Sequence, residues 1–351
     1  MDYYEMELGK AARVLVEEML AVKHGETFVI TADTESDRRA VNATAQSAFA
    51  VGAKPMVIWL AAPMGVGKAA DPMLPVDALS EALKQADVWA EFNNKWLLYS
   101  TPFERAVFGN DKIRYINLVG MNVDMMTRLI GRLDMRQLAT FMYKVTDMTK
   151  KAKKVRVTTP RGTHLEFENN PEHPISCDVG KADVPGIHYL PGQIGWTPEL
   201  QTIEGTLVFD GSIVPPCGLL TEPVRIKVEK GRAVKIEGGK QAAEFRKWLE
   251  SFNDPHMFRL AHICYGFNPG AILSGNIVED ERVWGATEWG LGYQSAEDCP
   301  PNGIPAVSHT DGICLNSSVW LDGVQLLNEG VVIDEHLKEL AEEIAKEARG
   351  Y

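Results

Sequence analysis

The sequence predicts an α/β chain in two parts, a doubly wound parallel-sheet domain followed by a β-rich α+β domain. Three observations carry that expectation. Short apolar runs alternate with helix-patterned segments through the first part, the order that builds a parallel sheet through crossover helices. From Val155 the pattern changes to strand-like runs separated by turn residues. Finally, 351 residues exceed what one ordinary hydrophobic core organises, so two domains are expected.

The elements follow in order. Within residues 5–23, Leu8, Ala11, Ala12, Val14, Leu15, Met19 and Leu20 recur at the spacing of an amphipathic helix. Thr27–Thr31 is a short apolar strand that ends in A-D-T-E-S-D. Helical patterning resumes over Arg38–Val51, and G-A-K-P leads into the strand Met56–Leu60. A helix over Pro75–Gln85 precedes the strand Val88–Phe92, and another helix precedes the strand Ile113–Val119. Sheets of this kind bind ligands at the carboxyl ends of their strands, here the loops near Asp33, Ala61 and Asn93. Residues 135–152 read as a helix whose basic end, M-T-K-K-A-K-K, complements the helix dipole. The boundary is placed after it, giving a Rossmann-like domain over 1–152 and a β-rich metal-binding domain over 153–351.

In the second part, V-R-V-T-T-P-R-G-T-H-L-E-F reads as a hairpin with a P-R-G turn. Glu204–Phe209 and Val224–Glu229 are further strands, with K-G-R as another turn. Ala242–Phe252 is an amphipathic helix stopped by N-D-P. Strands around His262 and His309 follow, and a helix over Glu335–Ala348 closes the pattern.

Composition narrows the function. A net charge of −12 argues against a nucleic-acid backbone or an anionic membrane surface as partner. The start, M-D-Y-Y-E-M-E-L, is acidic rather than a basic-then-apolar leader, and no apolar run reaches membrane-spanning length, so the expected location is the cytoplasm. Five widely spaced cysteines without a C-x-x-C pair read as reduced thiols. Cys264 and Cys314 flank the candidate metal residues and read as small buried filler rather than thiolate ligands. M-G-V-G-K around Gly65, Gly67 and Lys68 lacks the spacing and the following Ser or Thr of a phosphate loop, and reads as a flexible loop.

The candidate chemistry lies in the second part. In V-S-H-T-D-G-I-C-L, His309 and Asp311 stand two apart in a strand-like setting and so share one face, where a divalent metal can take both. His262 interrupts R-L-A-H-I-C-Y-G-F, Glu288 sits in W-G-A-T-E-W-G-L-G-Y, and Glu204 begins E-G-T-L-V-F. Charged groups among apolar neighbours are costly unless paired or metal-bound. Two readings stay open. His262, His309 and Asp311 make a two-histidine, one-carboxylate iron(II) site with open positions. Adding Glu204 and Glu288 gives oxygen ligands for two ions such as zinc, manganese or cobalt, which suits a hydrolase.

The segments E-G-T-L-V-F-D-G-S-I-V-P-P, F-N-D-P-H-M-F-R-L-A-H-I-C-Y-G-F-N-P-G-A and S-H-T-D-G resemble the 2,5-dihydroxypyridine 5,6-dioxygenases, iron(II) ring-cleaving enzymes with the fold of the aminopeptidase T metallopeptidases. The resemblance implies iron ligands at His262, His309 and Asp311, a small-molecule substrate with dioxygen, and a homo-oligomer with each site at the junction of the two domains. It also exposes departures. Where the dioxygenases have an acid/base histidine in an L-L-H-S-P context, this chain has W-L-L-Y-S-T-P, which puts Tyr99 there. A tyrosine can donate a hydrogen bond to a ring oxygen but is a poorer base at neutral pH. Glu288 stands where the dioxygenase pattern has an apolar residue and the metallopeptidases have a metal-binding histidine nearby. Tyr293 is a further ligand candidate. In G-I-H-Y-L-P-G-Q-I-G-W, His188 is either a substrate-holding residue or part of a surface loop.

Overall fold

The computed structural model describes residues 3–349 and divides into two compact units. The first comprises Met1–Leu133 with Gly180–Pro191, and the second Asp134–Val179 with Gly192–Tyr351.

In the first unit, β1 (Thr27–Asp33), β2 (Lys54–Leu60), β3 (Val88–Glu91) and β4 (Arg114–Asn117) form a parallel sheet in the order β2-β1-β3-β4. The chain runs from β1 to one side and then returns to the other, so the strand order reverses between β1 and β3. Strands buried on both faces need apolar side chains throughout, and Phe28, Val29, Ile30, Trp89, Ala90, Tyr115 and Ile116 are all fully buried. The helix Arg38–Ala50 starts at Asp37, whose carboxylate accepts from the backbone N–H groups of Arg39 and Ala40. The first helical segment ends its α-helical part at Arg13 and continues as a π-helical turn over Val14–Met19. Lys68 of the glycine loop pairs with Glu104 and Thr101, so its charge is already engaged.

A fifth strand, Gly186–His188, joins the edge of this sheet parallel to β4, with Tyr115 opposite Ile187 and Ile116 opposite His188. Three residues in a Gly/Pro-rich stretch carry no periodicity, so the sequence reads this edge strand as a loop or second-domain segment. The expected boundary after residue 152 is also displaced. The helix Met135–Lys151 belongs to the second unit because its apolar face, which includes Leu138, Phe141, Met142 and Val145, is buried there. Phe141 meets Phe267 edge-on and stacks on Trp284.

The second unit contains two antiparallel sheets. The eight-stranded sheet includes the hairpin Lys154–Thr158 and His164–Glu168, with Glu204–Phe209 and Val224–Glu229 on one side and Ser318–Leu321 on the other. The K-G-R turn suits a tight hairpin, since Lys230 and Gly231 both take positive φ. At the centre of the seven-stranded sheet lie Leu260–Gly266, Thr287–Gln294 and Ile304–Cys314. The chain passes from one sheet to the other at Asp210 and Gly211, and Phe167 meets Trp289 edge-on between them. Gly312 is required here, because a Cβ would fall 2.4 Å from the Phe209 ring. No helix among the described residues is long and apolar enough to cross a membrane.

Candidate metal centre

Three neighbouring strands of the seven-stranded sheet bring the acidic and imidazole side chains together. Gly290 opposes Asp311, Gly292 opposes His309, and Glu288 opposes Cys264 across the ladders. Glycine at 290 leaves room for an imidazole, since a Cβ there would fall 2.5–2.8 Å from the His262 ring atoms. The His262 and His309 rings stack with centroids 5.1 Å apart and planes at 25°.

Asp311 Oδ1 lies 2.7 Å from His309 Nε2 and 3.4 Å from His262 Nε2. Both Glu288 carboxylate oxygens lie 3.1 Å from His262 Nε2, and the Glu288 side chain is wholly buried. Among the described residues, two sets of potential ligand atoms lie within 4.8 Å of one another: His262, His309 and Asp311, and His262, Cys264 and Glu288. The sets share His262, and Glu288 occupies its Cys264 flank.

The outer nitrogens of both rings are engaged. His309 Nδ1 donates to the Tyr293 carbonyl at 2.7 Å, and His262 Nδ1 donates to the Gln294 side-chain carbonyl at 3.0 Å. These acceptors hold the protons on Nδ1 and turn both Nε2 atoms inward, that of His309 toward Asp311 and that of His262 toward Glu288 and, at 3.4 Å, Asp311. Burial opposes charge on the two imidazoles, but the carboxylates outweigh it. The Glu288 charge is the largest opposing influence on His262 and the Asp311 charge on His309, and both pKa values are raised. Burial likewise opposes the Asp311 charge, yet His309 and His262 hold its pKa far below the ordinary range. Burial pushes Glu288 up against the pull of His262, and pushes the Cys264 thiol well up.

The two imidazoles thus lie against the Asp311 and Glu288 carboxyl groups. A divalent cation takes carboxylate oxygens and neutral imidazole nitrogens as ligands, so this donor set fits one.

The remaining candidates lie elsewhere. Glu204 is exposed on the eight-stranded sheet, opposite Glu166, and its carboxylate accepts from the Lys230 backbone N–H at 2.9 Å. It belongs to neither ligand set, which corrects its assignment as a metal residue. A charge at the first position of a strand can simply face solvent. Tyr293 approaches the centre through its carbonyl, and its side chain is exposed.

Tyr99 lies in the first unit, after β3. It is exposed and takes φ +68°, a backbone conformation uncommon for a non-glycine residue. Its loop is pinned from below, where Asp33 accepts from the Lys95 N–H at 2.8 Å and Glu91 accepts from the Leu97 N–H and the Tyr115 hydroxyl. Burial pushes Glu91 up to about 7 in spite of those bonds. His188 is half-buried on the edge strand and donates from Nε2 to the Val184 carbonyl at 2.7 Å.

The sequence reading missed Gln294, the Tyr293 carbonyl and the seat at Gly290. Its available signal was the pair of glycines two apart in W-G-L-G-Y-Q, which in a strand marks close approach of another group.

Fold and site together define a class: an α/β protein whose antiparallel sheet presents a histidine/carboxylate set able to hold a divalent metal. The profile of the 2,5-dihydroxypyridine 5,6-dioxygenase family matches residues 13–334. The chain belongs to the 2,5-dihydroxypyridine 5,6-dioxygenase family, a family of oxidoreductase enzymes. A curated relative, 2,5-dihydroxypyridine 5,6-dioxygenase from Pseudomonas putida, is 31% identical over 128 residues. That match spans 35% of this chain and only 36% of the relative's length. The solved structure of 2,5-dihydroxypyridine dioxygenase from Pseudomonas putida KT2440 shares the fold, with a TM-score of 0.76 and 22% identity over 95% of this chain and 99% of that one. Wild-type AmpT from Thermus thermophilus shares it at a TM-score of 0.67 and 15% identity, covering 94% and 100% of the two chains.

Proposed function

We propose that this protein is an iron(II) dioxygenase that opens the ring of a hydroxylated N-heterocycle of the dihydroxypyridine type. The observation that carries the reading is the convergence of His262 Nε2, His309 Nε2 and Asp311, with both Nδ1 atoms held by carbonyl acceptors. Family membership supports the ring-cleaving chemistry. Iron(II), when bound, supplies coordination positions that three protein ligands leave open.

The chain's own residues do the rest. His262 and His309 are held in one tautomer, so no rotation is needed to present Nε2. Asp311 supplies the compensating charge. Glu288 stays in place beside His262 as a buried acceptor for an imidazole or substrate N–H. Tyr99 and His188 are proposed substrate-holding groups, Tyr99 as a hydroxyl donor to a ring oxygen. In the reaction both atoms of dioxygen enter the product and a carbon–carbon bond of the ring breaks, so no external reductant is required. The reading includes a cytoplasmic homo-oligomer whose partners are the small substrate and dioxygen. The hydrolase alternative loses support because Glu204 lies outside both ligand sets.

Metal analysis of anaerobically purified protein tests the reading. We expect one iron per chain. Two zinc, manganese or cobalt ions per chain would overturn it in favour of hydrolysis.

A further inference from the structure

We propose that the five-residue stretch Gly290-Leu-Gly-Tyr-Gln294 is the outer support of both metal histidines, with Gln294 as a positioning residue for His262. The inference rests on the metal centre proposed above and extends it to residues that are not ligands.

The strand Thr287–Gln294 pairs regularly with its neighbour until Gly292, which opposes His309. There the register breaks, and Gln294 opposes Ile304 instead. Gly292 makes the break possible. It takes φ +96°, and a Cβ would fall 2.3 Å from the Ser308 carbonyl oxygen, so a side chain is excluded on both counts.

The break withdraws Tyr293 from the ladder. Its carbonyl, which a regular ladder would engage with a backbone N–H, instead accepts from His309 Nδ1. One residue later, the Gln294 amide oxygen accepts from His262 Nδ1. Two residues before the break, Gly290 provides the space in which the His262 ring lies. Each histidine thus reaches its outer acceptor on one short stretch, and a single backbone irregularity orients both. The Tyr293 contact is made by backbone and survives any side-chain change. The Gln294 contact is made by a side chain, so it is the part that substitution can remove.

The test uses the full-length chain and Fe(II) alone, titrated anaerobically by calorimetry, with the visible spectrum of Co(II)-loaded protein as a second readout. Gln294→Met keeps the length and removes the acceptor. It should weaken Fe(II) binding roughly 10- to 100-fold and shift the Co(II) bands, while the melting temperature of metal-free protein stays near the parent value. Gln294→Glu keeps an acceptor and should restore affinity to within about threefold of the parent. His309→Ala is the control for the centre itself. If His309→Ala abolishes binding but Gln294→Met binds Fe(II) like the parent with an unchanged spectrum, the metal centre stands and this inference falls. If His309→Ala also binds like the parent, both fall. Should Gln294→Met fail to fold, the Glu variant decides alone: a loss of affinity beyond about tenfold overturns the proposal.

Discussion

Asp311→Ala should fold and yet lose tight Fe(II) binding, by about 10³-fold or more, beyond the 10- to 100-fold that loss of an outer hydrogen-bond partner costs. Turnover should fall with it. The reason is geometric. Both Nε2 atoms face Asp311 Oδ1, at 2.7 Å and 3.4 Å, so its removal deletes one donor and uncouples the other two. The metal-free protein offers an independent check. Histidines with raised folded-state pKa values contribute stability that is fully present below the ordinary imidazole pKa of about 6.5 and is lost as pH rises through the folded value. Asp311, with its depressed pKa, contributes above the ordinary carboxylate value and loses that contribution only in strong acid. The interaction is therefore complete between the ordinary carboxylate and imidazole values and is lost as pH rises through the raised histidine values. The melting-temperature difference between parent and variant should be largest near about pH 6 and shrink as the pH is raised into alkali. Unchanged metal affinity in Asp311→Ala would remove this residue from the centre.

Glu288→Gln should retain one metal per chain while turnover falls by about 10- to 100-fold, the cost of disturbing a partner of a metal-binding histidine. Glutamine preserves the shape of a side chain with no exposure and keeps one acceptor oxygen beside His262, but removes the charge. In a two-metal hydrolase the same change would lower the metal count together with activity. We expect the first outcome, because both Glu288 carboxylate oxygens already face His262 Nε2 at 3.1 Å. Metal analysis and steady-state rates on the same preparation distinguish the two. A loss of metal in step with activity would make Glu288 a ligand.

The parts of this site legible in the sequence were those governed by short-range periodicity. His309 and Asp311 share a face because strand side chains alternate, and His262 and Glu288 stood out as polar residues in apolar runs. Bringing His262 beside Asp311 requires the pairing of three strands, which spacing alone does not specify. Glu204 had the same local appearance as Glu288 but lies on the other sheet, where it faces solvent. The parallel sheet of the first unit was legible for the same reason as the histidine pair, since β1 to β4 are apolar runs separated by helices. Its fifth strand was not, because Gly186–His188 is defined by its partner β4 rather than by its own residues. Gln294 was hidden for a related reason: its role follows from a register break set by the neighbouring strand.

Oxygen uptake tests the central claim most directly. Protein reconstituted anaerobically with Fe(II) is mixed with 2,5-dihydroxypyridine in air-saturated buffer, and dioxygen consumption is followed together with loss of the aromatic absorbance. The account predicts one dioxygen consumed per ring opened, with both oxygen atoms recovered in the product when ¹⁸O₂ is supplied, and no uptake by His309→Ala. Ring opening without dioxygen consumption, or amide hydrolysis by the same preparation with no uptake on any hydroxylated pyridine, would contradict it.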